Sequence, residues 1–141
     1  MKKIFSFMMI FALIFGAMSV SASADTIFAP RSSNCFHCYG TSMGDAGNGV
    51  LSITFDCVGM GICSQLGVAS YTVEKLDDEG NWENVSGLLE GQTGSDCASY
   101  SFGRYFYGRV GETYRLCVTF ICTLNGLTES RVYTSGSITL Q

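Results

Sequence analysis

The sequence predicts an all-β protein, a two-sheet antiparallel β-sandwich preceded by a signal peptide. Three observations carry that expectation. After residue 24 no window places apolar residues at i, i+3, i+4 and i+7, the mark of an amphipathic helix. β-Branched, aromatic and glycine residues dominate instead, as strands and tight turns require. Short runs that alternate apolar with polar side chains recur, separated by turn residues, which is the pattern of half-buried strands.

Residues 1–24 read as a signal peptide. Lys2 and Lys3 supply the positive start, and Ile4 to Val20 is an apolar run broken only by Ser6, Gly16 and Ser19. Ala22-Ser23-Ala24 then gives the small-x-small pattern at which signal peptidase cuts. A membrane anchor is the competing reading, because a span needs about 17–25 residues. No basic stop-transfer cluster follows, so cleavage and a secreted, membrane-free product are expected. Removing Lys2 and Lys3 leaves six basic residues against twelve acidic ones, a formal charge of −6 on 117 residues. That length suits one domain, and that charge repels phosphate backbones, so no nucleic-acid partner is expected.

Residues 25–49 read as an irregular, cysteine-containing leader with Pro30 and the loop "GDAGNG"; residues 50–141 read as the sandwich. Leu51, Ile53, Phe55 and Cys57 alternate with Ser52, Thr54 and Asp56 as a first clear strand, closed by a turn at Gly59-Met60-Gly61. A second runs from about Gly67 to Leu76, with Ala69, Tyr71 and Val73 on one face. "DDEGNW" is a hairpin turn into Trp82–Val85, and its acidic cluster reads as a solvated tip rather than a calcium site. Residues 87–96 form a glycine-punctuated loop. Strands resume at Ala98–Tyr107, Thr113–Cys122 and Ser130–Leu140, the last with a bulge at Gly136.

"GETYRLCVTF" resembles the sixth-strand corner of fibronectin type III and immunoglobulin-like domains. "SYTVEKLDDEGNWENV" is similar to the third-strand hairpin of fibronectin type III domains. The resemblance covers roughly residues 50–140. It implies that Tyr114 is a structural corner tyrosine, its ring packed inward and its hydroxyl bonded to nearby backbone. Phe55 stands where such domains carry a second-strand tryptophan, and Leu116 where the immunoglobulin pattern has cysteine.

All seven cysteines follow the signal peptide, and export makes disulfides their default fate. Cys35, Cys38, Cys57, Cys63, Cys97 and Cys122 are the bridge candidates, converging on one pole of the sandwich. Cys117 takes the outward phase of its strand and is the odd thiol, free or joined to a second chain as a disulfide-linked dimer. The motif "CFHC" raises an alternative, an extracytoplasmic thiol-redox or metal-binding protein using Cys35, His37 and Cys38. A redox pair needs a helix N-terminus to lower its thiol pKa, and a structural zinc site needs four ligands. Neither context accompanies this motif, so no metal and no cofactor are expected.

No catalytic residues are expected either, since His37 is the sole imidazole and no G-x-S-x-G accompanies it. The function that remains is a secreted, non-enzymatic module that binds a protein or glycan ligand. Its contact groups are expected at the cysteine-rich pole, as Phe36, His37 and Tyr39, because loops on a rigid scaffold usually carry recognition. "SFGRYFYGR", residues 101–109, is aromatic enough for sugar stacking, although a strand that buries some of these rings is the plainer reading.

Overall fold

The computed structural model describes residues 33–141; the expected signal peptide and the first part of the expected leader, with Pro30, lie outside the described residues. Ten strands and no helix occur among the described residues, arranged as two antiparallel sheets. Sheet A has the order β1-β2-β7, from β1 (Phe36–Asp45), β2 (Val50–Cys63) and β7 (Cys97–Tyr107). Sheet B is built on the long pair β3 (Gln65–Leu76) and β8 (Thr113–Leu124). Three short strands line the far edge of β3: β4 (Trp82–Asn84), β5 (Leu89–Glu90) and β6 (Thr93–Gly94). The far edge of β8 carries β9 (Leu127–Thr134) and β10 (Ile138–Thr139).

Period-two alternation makes the core. Leu51, Ile53, Phe55 and Cys57 of β2 are buried, and the serine, threonine and aspartate between them are not. β8 repeats the pattern with Tyr114, Leu116, Val118, Phe120 and Cys122, all at most 2% exposed. Burying each large apolar side chain stabilises the fold by about 1.5–3 kcal/mol. Phe55 sits between Phe102 and Tyr71, with ring centroids 4.7 and 4.9 Å away, and so welds sheet A to sheet B.

Four expectations need correction. The leader is not irregular over its second half, because Phe36–Asp45 is a ten-residue edge strand. A register shift between Phe36 and Cys38 breaks its alternation, so Phe36 and Tyr39, three apart, both turn inward. Gly59–Gly61 does not close β2, which continues to Cys63 with irregular register after Val58. Ser64 alone then links sheet A to sheet B, its N–H donating to the Thr123 carbonyl at 2.9 Å. Ala69 is exposed rather than inward, because a bulge between Val68 and Ser70 resets the phase. Residues 130–140 are two strands, β9 and β10, and Gly136 lies in the break between them. Asn125 and Gly126, with φ of 51° and 77°, form the tight turn from β8 into β9.

Candidate functional site

β7 is an edge strand of sheet A, and its two faces differ. Register with β2 sets Tyr100, Phe102 and Phe106 opposite Cys57, Phe55 and Leu51, facing the core. The alternate residues face out, opposite Val58, Asp56, Thr54, Ser52 and Val50. Tyr105 and Tyr107 on that outer face are 69% and 81% exposed. Beside them the sheet surface is low and rich in hydroxyls: Gly103, then Ser52 and Thr54 on β2, then Ser42 and Gly44 on β1. Two stacking rings therefore stand at the rim of a flat, hydrogen-bonding floor.

The flank of β7 toward sheet B is closed by polar groups. Arg104 points to the inner side, its guanidinium 4.9 Å over the Phe102 ring and donating to Gln92 Oε1 at 2.8 Å. Gln92 in turn donates to the Tyr100 hydroxyl at 2.6 Å. Further along, a cleft of about 300 Å³ opens between the end of β7 and sheet B, lined by Lys75, Val85, Phe106, Tyr107, Arg109, Glu112 and Tyr114. The Tyr114 hydroxyl organises it, accepting the Arg109 N–H at 3.0 Å and donating to Glu112 Oε2 at 2.5 Å. The Tyr114 hydrogen bond, with Lys75 at 3.4 Å, holds the Glu112 carboxyl below its ordinary range. Burial, and then the Glu112 bond, raise the Tyr114 hydroxyl. Gly108 has no room for a side chain, since a Cβ there would lie 2.6 Å from the Tyr114 oxygen. Among the described residues Arg104 and Arg109 make no direct ion pair, whereas Lys75, Arg115 and Arg131 do.

Most of the sulfur gathers at the opposite end. Cys35 and Cys122 form a disulfide that spans 87 positions and joins the start of β1 to β8. A loop of that length gives about 4.5 kcal/mol in the chain-entropy account of disulfide stabilisation. The Cys63 sulfur lies 3.4 Å from that of Cys122, and the sulfurs of Cys35, Cys63 and Cys122 all fall within 4.8 Å of one another. Cys97 is the register partner of Cys63. Burial, and then Cys97, raise the Cys63 thiol, while burial and the neighbouring Cys97 and Asp56 push Cys57 up to about 12. Cys117 is half-buried on the outer face of β8, opposite Thr134 and Thr72.

The motif "CFHC" does not form one dithiol. Cys35 is bonded to Cys122, His37 is exposed, and Cys38 is half-buried beside Val58 on the outer face of sheet A, where burial and Asp56 raise its thiol. With Cys35 and Cys122 joined, Cys63 is the one thiol left of the close trio, where a structural zinc site uses four donors. Phe36 and Tyr39 are corrected as contact groups: at 2% and 4% exposed they pack on each other, and Tyr39 on Phe120, as part of the core. The sequence reading also passed over Lys75, Gln92 and Glu112. For Glu112 a signal existed, an acid two residues before Tyr114 on the same strand face.

No protein-family model matches the chain, and no curated protein matches it. Among solved structures it is similar to a protein from Archaeoglobus fulgidus, at 9% identity and a TM-score of 0.37, over 75% of this chain and 98% of that one. A likeness at that level assigns neither family nor activity.

Proposed function

We propose that this chain is a secreted, non-enzymatic sandwich of the fibronectin type III or immunoglobulin-like kind that recognises glycan on the outer face of sheet A. The observation that carries the reading is the exposed pair Tyr105 and Tyr107 beside a hydroxyl-lined floor. A saccharide presents apolar C–H faces and a dense rim of hydroxyls. Tyrosine supplies both counterparts, a broad apolar ring and a polar tip, at low entropic cost because it has few rotatable bonds. Ser42 and Thr54 add donors and acceptors, and Ser52, whose hydroxyl donates to the Gly44 carbonyl at 3.0 Å, adds an acceptor. Strands hold all of these groups in place, which reduces the ordering that binding must overcome.

A protein partner is the second reading, and one observation favours it. β7 is eleven residues long with one edge unpaired by any strand among the described residues, a ready template for strand addition. Calorimetry of the purified protein against neutral and acidic oligosaccharides separates the two. Glycan recognition predicts binding that falls tenfold or more, about 1.4 kcal/mol, in a Tyr105→Ala, Tyr107→Ala variant of unchanged stability. No saccharide binding at all would remove the glycan reading. Capture of a protein from the culture medium that survives loss of both rings would replace it with strand addition.

A further inference from the structure

We infer that the Cys35–Cys122 disulfide is exchangeable within the folded protein, with Cys63 as the resident thiol that displaces Cys35 from Cys122. The Cys63 sulfur stands 3.4 Å from the Cys122 sulfur, and no intervening group separates three sulfurs that share a 4.8 Å cluster. All three residues are at most 1% exposed, so an external thiol does not reach the bond directly. The position is built for the thiol: Gly59 faces it, and a Cβ there would lie 2.3 Å from the Cys63 sulfur.

The step balances without any other reagent. The Cys63 thiolate attacks the Cys122 sulfur, and a Cys63–Cys122 bond forms as the Cys35–Cys122 bond breaks. The electron pair leaves on the Cys35 sulfur, which takes up the proton that Cys63 gave. One disulfide and one thiol stand on each side. Both isomers tie sheet A to sheet B, the first through β1 and the second through β2. The backbone at Cys35 keeps its place in either, because other bonds hold it. Ser33 Oγ accepts the N–H groups of Cys35 and Phe36 at 3.1 and 2.7 Å and donates to Glu129, while the Cys35 carbonyl accepts the Met60 N–H at 2.8 Å. Cys35 therefore stays within reach for the reverse step.

The test is disulfide mapping of a Cys35→Ser variant purified without reductant and quenched in acid. Trypsin alone cannot resolve it, since no lysine or arginine lies between Arg31 and Lys75 and four cysteines share that peptide. Cyanogen bromide cuts after Met43 and Met60 in acid, and places Cys38, Cys57 and Cys63 on separate fragments. With free thiols alkylated, trypsin then divides residues 61–141 after Lys75, Arg104, Arg109, Arg115 and Arg131. This parts Cys63 and Cys97 from each other and from the peptide of Cys117 and Cys122, and fragment sequencing tells those two apart. The expected result is Cys122 joined to Cys63. Recovery of Cys122 as a free thiol, or of Cys63 joined to Cys97, would overturn the inference. Should the variant not fold, the unaltered protein decides: held at mildly alkaline pH with no added thiol and then quenched in acid, it should yield Cys122 partly with Cys35 and partly with Cys63. Cys35–Cys122 alone at every time of incubation would refute exchange.

Discussion

Replacing Tyr114 by phenylalanine deletes one oxygen atom and leaves the core packing of the ring in place. The ring is 2% exposed and meets Phe106 edge-on at 5.7 Å, contacts that the phenyl ring of the variant retains. Two hydrogen bonds go. The bond from the Arg109 N–H is neutral and worth about 1 kcal/mol. The bond to Glu112 involves a carboxylate, which places it at about 1.5–3 kcal/mol, but Glu112 reaches solvent and the low end applies. The expected loss is about 2 kcal/mol at neutral pH. Acid supplies a second check. Glu112 has a folded-state pKa below the free value of 4.5, first because of Tyr114. A depressed carboxyl stabilises the fold above its unfolded pKa and ceases to do so as pH falls through the folded one. The gap between wild type and Tyr114→Phe should therefore narrow below 4.5. Trp82 is the sole tryptophan and lies under Arg115 at 4.3 Å, so its fluorescence can follow urea unfolding at pH 7 and at about pH 3. Coincident curves at pH 7, or a gap that does not narrow in acid, would refute this account of the cleft.

Two further substitutions test the core. Thr41 is 7% exposed, and its hydroxyl has no hydrogen-bond partner among the described residues; Thr41→Val should raise stability by about 1 kcal/mol by removing a buried unsatisfied group, and a lower urea midpoint would show that the hydroxyl is satisfied. Gly108→Ala drives a methyl to within 2.6–2.8 Å of the Tyr114 oxygen and ring, so it should cost about 1–3 kcal/mol as overpacking does, and an unchanged midpoint would contradict the packing described.

The all-β class and the two-sheet build were legible because alternation is written directly in the residues. Leu51 to Cys57 and Tyr114 to Cys122 carry four and five inward positions in strict phase, and the buried set follows from counting by two. What escaped was every place where the phase slips. A bulge costs one residue and leaves no compositional mark, so Phe36 and Tyr39 looked like loop aromatics and Ala69 looked inward. The glycines at 59 and 61 invited a turn, yet the chain stays extended there, and Gly59 leaves room for the Cys63 sulfur four residues on, a closeness set by the irregular register of β2. The Asn125-Gly126 turn was legible and was missed, which started β9 at Ser130 instead of Leu127, and reading Gly136 as a bulge merged β9 and β10 into one strand. Of the surface proposed to take a glycan, the aromatic stretch was visible, but the sides its rings take depend on pairing with β2. The cleft of Lys75, Glu112 and Tyr114 joins residues 37 apart in sequence at its Lys75–Glu112 ion pair, and required the fold.

The bridge across 87 positions also has a direction in time. A chain is made from its N-terminus, so Cys35 is the first of the seven cysteines to appear and Cys122 the last. Five other thiols stand between them, each available to Cys35 earlier than its final partner. The bond can therefore form only once every other cysteine has been made, and bonds that Cys35 makes earlier with nearer cysteines would be mispairings, to be undone by exchange before Cys122 can take their place.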